Sequence, residues 1–144
     1  MAGRIVVGVD GSQSSRAALR WAASEARLRS AALDVVYCWH HPLETFVPAW
    51  GVPPWDDLEA EARRRLDELS SAEGLSPDQS PVTNPVLLQG PAAPALIATA
   101  QGADLLVVGA RGHGAFAGML LGSVSQHCVS HATCPVVVVR GDGG

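Results

Sequence analysis

Short apolar runs rich in β-branched residues alternate along the chain with longer segments whose apolar residues recur at helical spacing. This alternation is typical of β-α-β units wound around a parallel sheet. Five runs are predicted to be buried strands, at residues 4–10, 33–39, 82–88, 103–109 and 135–140. Pro85 in the third run cannot donate a hydrogen bond to a neighbouring strand, so this run is predicted to lie at a sheet edge or to begin there.

Four helices are predicted to connect these strands. The first begins at Ser14 or Ser15, either of which can cap it, and it presents small apolar residues to the sheet. The second has an apolar stripe and favourable Glu–Arg pairs four residues apart, so its arginine run, residues 63–65, is predicted to face solvent. The last three helices are predicted at residues 56–72, at residues 94–101, and from Gly122 to before Pro135.

One long stretch, residues 40–55, has neither a strand nor a helix pattern and follows the second predicted strand. Structureless connections of this length are uncommon in compact domains unless they are functional. Open α/β sheets bind ligands at the carboxyl ends of their strands, which is where this loop begins. Trp50 and Trp55 can close over a bound ring, or they can simply seal the sheet edge.

The composition is that of one globular domain over residues 1–144, with 47% apolar residues and a net charge of −4. The acidic balance argues against nucleic acid and anionic membranes as partners. All ten basic residues are arginine, which excludes chemistry that needs a lysine amine, such as a Schiff base.

Three cysteines, Cys38, Cys128 and Cys134, lack CxxC spacing and indicate free thiols in a reducing compartment. No charged segment precedes an apolar run at the N-terminus, and no apolar stretch is long enough to span a bilayer. The sequence therefore predicts a cytoplasmic protein that makes no membrane contact.

The segment GARGHGAFAGMLLGS, residues 109–123, joins the fourth predicted strand to the fourth helix. Exposed N–H groups at the start of that helix form a ready anion site, to which Arg111 and His113 add donors. Glycines at positions 109 and 112 permit positive φ and a close approach of the backbone to a ligand. The alternative is that the glycines only let a surface loop turn. Gly122, Ser123 and Val124 supply the helix-start N–H groups.

Asp10 ends the first predicted strand with a carboxylate, and the sequence DGS then turns the chain toward the first helix. A carboxylate at this place can accept hydrogen bonds from an adenine amino group, a ribose hydroxyl or a metal-bound water. It can equally be an ordinary Asp-Gly turn residue. If strands one and four are neighbours, Asp10 and Gly109 emerge side by side where doubly wound sheets place nucleotides.

Enzymatic motifs are weak in this chain. The P-loop pattern GxxxxGK[ST] is absent, and DGSQSS departs from the SGGxDS phosphate loop of ATP-pyrophosphate-cleaving ligases. Candidate bases for hydrolysis are Asp10, His113 and the pair His40 and His41, and none has a partner identifiable from the sequence. No catalytic residue is assigned.

His127 and His131 stand four residues apart on the fourth predicted helix, with Cys128 between them. This spacing can hold zinc on one helical face. Because no further cluster completes the site, the pair is interpreted as surface or helix-end residues, and no metal site is assigned.

These motifs together resemble the universal stress protein family, specifically its ATP-binding subgroup. The resemblance runs from IVVGVDGS through GADLLVVGARGHGAFAGMLLGSVSQH to CPVVVVR, and the block GxxG, nine residues, GS is the subgroup's nucleotide motif. It implies one α/β domain, a doubly wound, Rossmann-like parallel sheet of order 3-2-1-4-5 with helices on both faces. The pattern is intact except near Pro94, which leaves the start of the third helix open.

The resemblance also implies the ligand and its contacts. Adenine lies near Asp10 and the Cys38 backbone, the ribose lies between Gly8 and Gly109, and the glycine loop surrounds the phosphates, accompanied by Mg²⁺. The same loop admits ADP, AMP or cAMP as well as ATP, because it recognises a phosphate group and does not distinguish nucleotides by the number of their phosphates. The implied nucleotide-binding residues are Gly8, Val9, Asp10, Cys38, Gly109, Arg111, Gly112, His113, Gly122, Ser123 and Val124.

A homodimer is the implied assembly, through the last strand between Val136 and Arg140. An unpaired edge of consecutive valines favours the same assembly, since pairing would cover its peptide groups.

Two functions remain open. The first is a nucleotide-gated binding module read by an unidentified downstream protein, and the second is a slow ATPase or phosphotransfer enzyme using the same pocket.

Overall fold

The computed structural model describes residues 3–40, 51, 55–76, 78–112 and 121–141. His113, His41 and Trp50 lie outside these residues, as does most of the loop predicted at residues 40–55. The predictions that fall on them are therefore not addressed by the structure.

Five parallel strands form one sheet in the order β3-β2-β1-β4-β5. The predicted fold class and strand order are thus confirmed, with strand ends shifted by one or two residues. Pro85 lies in β3, which is an edge strand as predicted. The strands are β1 Arg4–Val9, β2 Ala32–Trp39, β3 Thr83–Gln89, β4 Leu105–Gly109 and β5 Val136–Val139.

Four helices connect the strands within the described residues. The predicted cap of the first helix is wrong: Ser12 caps it, and its side chain accepts a hydrogen bond from the Ser15 N–H at 3.3 Å. Ser14 and Ser15 lie inside the helix, where their hydroxyls serve other contacts. The helices are α1 Gln13–Arg29, α2 Trp55–Ala72, α3 Ala92–Thr99 and α4 Ser123–His131.

The third helix begins two residues earlier than predicted, at Ala92, so that Pro94 lies in its first turn. Proline is tolerated there because the first N–H groups of a helix have no intrahelical acceptor. The fourth helix starts as predicted, with Gly122 as its N-cap.

Alternate strand residues bury two cores, one on each face of the sheet. Helices α1 and α2 cover the face that carries Ile5, Val7 and Val35. Helices α3 and α4 cover the face that carries Val6 and Val36. The loops that carry the candidate chemistry leave this scaffold at the carboxyl ends of β1, β2 and β4.

Helix α2 contacts the sheet through Ala62 and Leu66, and its arginine run, residues 63–65, is exposed as predicted. Arg64 pairs with Glu61 and Glu68, and Arg65 pairs with Glu61 at 3.4 Å. Pairs this exposed contribute little to stability.

Among the described helices, none is both long and apolar enough to cross a membrane.

Candidate nucleotide-binding cleft

The carboxyl ends of β1 and β4 lie side by side. Ile5 pairs with Leu105 and Val7 with Val107, so the two strands deliver Asp10 and Gly109 to the same edge of the sheet. This is the reversal point of the strand order, because β2 lies on one side of β1 and β4 on the other. Ligands of doubly wound sheets bind in the crevice at that point.

A cleft opens between these strand ends, and we call it the β1–β4 cleft. Its walls come from β1, β2, β4, the start of α1, and helices α3 and α4. The free volume between the walls, open solvent included, is about 500 Å³, but the space for the centre of a water molecule is only about 70 Å³. Eight predicted residues line it together: Gly8, Val9, Asp10, Cys38, Gly109, Arg111, Gly112 and Val124.

Asp10 is held by the turn that follows it. Its carboxylate accepts a hydrogen bond from the Ser12 N–H at 2.8 Å, and its own N–H donates to the Ser15 hydroxyl at 3.2 Å. The DGS segment is therefore an Asp turn, and this turn leaves the carboxylate on the cleft wall. The two interpretations of Asp10 offered by the sequence are compatible.

Gly112 lies directly against that carboxylate. A Cβ atom built on Gly112 would stand 2.6 Å from Asp10 Oδ2, closer than real contacts allow. Neither Gly109 nor Gly112 has a positive φ, so the expected conformational role of these glycines is wrong. What they provide is the absence of a side chain at a close approach.

Gly109 and Gly8 make close approaches to the protein itself. A Cβ on Gly109 would meet the Ser14 hydroxyl at 2.6 Å and the Ser15 backbone nitrogen at 2.7 Å. A Cβ on Gly8 would meet the Leu96 side chain at 2.7 Å. These two glycines therefore let α1 and α3 pack onto the strand ends, which fixes the width of the cleft.

The segment after β4 is fastened to α1 by Ser14, which is buried. Its hydroxyl donates to the Arg111 carbonyl oxygen and accepts from the Arg111 N–H at 3.3 Å. One side chain thus satisfies both backbone groups of Arg111, in the way that a neighbouring strand would. These two hydrogen bonds hold Arg111 and Gly112 beside Asp10.

The start of α4 lies close to the same segment, but it differs in one respect from the prediction. The Gly122 N–H donates to the Ala110 carbonyl oxygen at 2.6 Å, so it is engaged within the protein and not presented to a ligand. The Ser125 hydroxyl also donates to the Ala110 oxygen, at 2.7 Å. The N–H groups of Ser123 and Val124 belong to the first helical turn and have no intrahelical acceptor.

The cleft is lined by apolar and by charged side chains. Asp10 is its acidic lining residue and Arg111 its basic one. Burial raises the pKa of the Cys38 thiol to about 11, with the nearby Cys128 adding to the shift. Cys38 is therefore a neutral thiol at physiological pH, and it gives the cleft an apolar wall.

Several lining residues were missed by the sequence interpretation. Val36 precedes Cys38 by two residues on the same strand face, so the period of the strand could have indicated it. Ser12 and Ser15 belong to the DGSQSS segment, which is interpreted from the sequence as the turn into α1 and compared with a phosphate loop, with neither serine assigned to the cleft. Val108 lies on β4 next to Gly109, whereas Leu96, Ala92 and Ser125 reach the cleft through the packing of α3 and α4, for which the sequence carries no local signal.

His127 and His131 lie on the exposed surface of α4 with their ring centroids 4.6 Å apart. Within the part of the chain that the structure describes, no group of three or more potential metal ligands occurs. Neither histidine lines the cleft.

Comparison with known proteins agrees with this architecture. The family model described as "Universal stress protein family" matches residues 1–140. A universal stress protein of Mycobacterium tuberculosis is 38% identical over 139 residues, which is 94% of this chain and 43% of the relative. The chain thus spans less than half the length of the curated relatives it matches.

Two solved structures extend the comparison. A universal stress protein in complex with cAMP is 29% identical, covers 95% of each chain and has a TM-score of 0.61. The universal stress protein of Archaeoglobus fulgidus in complex with dAMP is 26% identical, covers 95% of this chain and 97% of its own, and has a TM-score of 0.65. From its sequence match over nearly the whole chain and its strand order, this protein belongs to the universal stress protein family.

Proposed function

We propose that the β1–β4 cleft binds an adenine nucleotide, and that ATP is the ligand. The observation that carries this proposal is the juxtaposition of the Asp10 carboxylate, the apolar Cys38 wall and the segment from Arg111 to Gly112 around one cleft. Two related structures hold adenine monophosphates, cAMP and dAMP, which supports the adenine end. The choice of ATP rests on the glycine motif.

The base fits the end of the cleft formed by Asp10 and Cys38. A carboxylate can accept a hydrogen bond from the adenine amino group, and the walls beside it, Val36 and Leu96, are apolar. The phosphates belong beside the segment from Arg111 to Gly112 and the first turn of α4, where Arg111 and the amides of Ser123 and Val124 supply donors. Because the cleft is narrow, the proposal requires that it widen when the nucleotide binds.

Mg²⁺ accompanies ATP in this proposal, and the donor set indicates how. Mg²⁺ prefers oxygen ligands and usually keeps several waters while binding substrate phosphates. Asp10 is the carboxylate that lines the cleft, and it stands at the base end. The ion would therefore be held chiefly by phosphate oxygens. When bound, it neutralises phosphate charge.

We favour a nucleotide-gated binding module over an enzyme. The Asp10 carboxylate is already engaged by the Ser12 N–H, and hydrolysis needs a base positioned on a water. In the module, nucleotide binding changes the dimer, formed through β5, or the order of nearby loops, and a downstream protein recognises that state. Free cysteines suit the reducing cytoplasm as its location.

One incubation separates the module from a slow ATPase or phosphotransfer enzyme. Protein is incubated with ATP and Mg²⁺, and the nucleotides in solution and in the denatured protein are then identified. Retained, uncleaved ATP supports the module. Multiple turnovers that disappear in Asp10→Ala support the enzyme, whereas no retention of ATP, ADP, AMP or cAMP overturns nucleotide binding altogether.

A further inference from the structure

A second cavity lies on the opposite face of the sheet, and we call it the α1–α2 cavity. It is bounded by the turn from β1 to α1, by Tyr37 of β2 and by one side of α2. Its space for the centre of a water molecule is about 270 Å³, against about 70 Å³ in the β1–β4 cleft. Asp10 lines both, from either side of the sheet end.

Two guanidinium groups line this cavity from different helices. Arg16 of α1 uses its Nε to donate to the Gly11 carbonyl oxygen at 3.1 Å, and Arg65 of α2 uses its Nε to donate to Glu61 at 3.4 Å. Among the described residues, the terminal nitrogens of both groups have no hydrogen-bond partner. Each guanidinium therefore keeps the pair of donors that binds carboxylates and phosphates in a fork.

The acidic residues of the cavity are already compensated. Glu73 pairs at 3.1 Å with Arg20, and Glu68 pairs with Arg64, and neither of these arginines lines the cavity. Asp10 accepts the Ser12 N–H. Arg65 is paired in the same way with Glu61, outside the cavity, so what the two lining arginines offer a ligand is their terminal N–H donors and not a net positive charge.

Part of the cavity lining is apolar. Leu69, Ala72 and the ring of Tyr37 form it, and within the described part of the chain the Tyr37 hydroxyl makes no hydrogen bond. Apolar surface beside convergent polar donors can hold the body and the head group of a small ligand together. The phenol O–H adds a third donor to the two forks.

We propose that the α1–α2 cavity binds a small organic anion, whose carboxylate or phosphate head lies between Arg16 and Arg65 and whose short apolar body lies on Tyr37 and Leu69. The cavity is smaller than the usual sites of drug-sized ligands, which fits an anion smaller than a nucleotide. This proposal does not rest on the proposed nucleotide function, although Asp10 lines both cavities.

The test is a titration with benzoate, phenyl phosphate and inorganic phosphate at low ionic strength, followed by calorimetry and by backbone amide NMR shifts. We expect saturable binding with a dissociation constant of about 1 mM or tighter for one aromatic anion, with shifts centred on Tyr37 and Leu69. Stronger binding of benzoate assigns a carboxylate head, and stronger binding of phenyl phosphate assigns a phosphate head.

Two variants and one matched control make the test specific. Arg65→Gln and Tyr37→Phe should each weaken binding by about fivefold or more, because each removes donors to the head group. Arg63→Gln makes the same charge change two residues away, outside the cavity, and should bind like the parent. Absence of saturable binding, equal losses in Arg63→Gln, or shifts confined to Ser123 and Val124 would overturn the proposal.

Discussion

Three glycines at the carboxyl ends of β1 and β4 are required by three different neighbours. Gly8 faces the Leu96 side chain, Gly109 faces the backbone of α1, and Gly112 faces the Asp10 carboxylate. A methyl group at Gly109 meets atoms that cannot move without shifting the helix. At Gly112 it meets a single side chain, so the two substitutions should have different consequences.

Gly112→Ala should weaken adenine nucleotide binding by about tenfold or more, or about 1.4 kcal/mol, while changing the free energy of unfolding by about 1 kcal/mol or less. The added methyl displaces the Asp10 carboxylate from the cleft wall, where the adenine amino group would meet it. Equilibrium binding of ATP and denaturant unfolding measure the two quantities.

Gly109→Ala is the matched control, since the same methyl should destabilise the protein by about 1–3 kcal/mol through overpacking against α1. A double-mutant cycle with Asp10→Ala tests the cause, because Gly112→Ala should add little once the carboxylate is gone. Additive losses of affinity would show that Gly112 acts without Asp10.

The Cys38 thiol should react slowly with iodoacetamide at neutral pH. Its pKa is raised to about 11, so only a very small fraction is the reactive thiolate near pH 7. Because the shift is upward, the alkylation rate of Cys38 should still rise about tenfold per pH unit from pH 7 to beyond pH 9. The alkylation rate of an ordinary thiol levels off near its pKa of about 8.5. Peptide mapping by mass spectrometry gives the rate at each cysteine.

Added nucleotide should further slow the reaction at Cys38 and leave that at Cys134 unchanged, since Cys38 lines the cleft and Cys134 does not. A Cys38 rate that levels off below pH 9 contradicts the raised pKa. Equal protection of both thiols contradicts the location of the ligand.

At the scale of elements, the contact between α1 and the segment after β4 depends on one hydroxyl. Ser14→Ala should lower the free energy of unfolding by about 1–3 kcal/mol, because it leaves the Arg111 N–H and carbonyl without their partner. Ser24→Ala, at an exposed position of the same helix, is the control and should change it by a few tenths of a kcal/mol. Equal losses of unfolding free energy in the two variants would show that the Ser14 hydroxyl does not stabilise this contact.

The sequence predicted the elements well because their signals are local. Runs of β-branched residues and the apolar stripe of α2 placed all five strands and the helices to within two residues or so. The predicted cap of α1 was wrong because residues 12–15 contain three serines, each of which can cap a helix. Ser14 and Ser15 are excluded as caps only by the hydrogen bonds that their hydroxyls make elsewhere in the fold.

At the scale of the whole molecule, β5 ends the sheet with one side unpaired within the described chain. Pro135 and Val139 direct their carbonyl oxygens to β4, at 2.9 and 2.8 Å from the Leu106 and Ala110 nitrogens. Since peptide groups alternate along a strand, those of Val136 and Val138 point outward. They are the groups that a second copy would pair with.

Val138→Pro should therefore abolish the proposed dimer, because it removes an outward N–H and leaves the bonds to β4 in place. Val138→Ala removes most of the same side chain but keeps the N–H, and it should remain dimeric. Sedimentation over a concentration series measures both. A monomeric parent protein, or a dimer that survives the proline, would exclude pairing through β5.

The candidate site was predictable in outline but not in detail. Asp10 and the glycine motif each mark a strand end, and strand order then brings them together. The engagement of the Gly122 N–H by Ala110, and the contribution of Leu96 from α3, depend on contacts between residues distant in sequence. No local pattern reports such contacts.

The most direct measurement is a crystal structure of the protein incubated with ATP and Mg²⁺. We expect the adenine beside Asp10 and Cys38, and the phosphates beside Arg111 and the amides of Ser123 and Val124. Nucleotide bound elsewhere, or a β1–β4 cleft that stays closed at saturating ATP, would contradict the account.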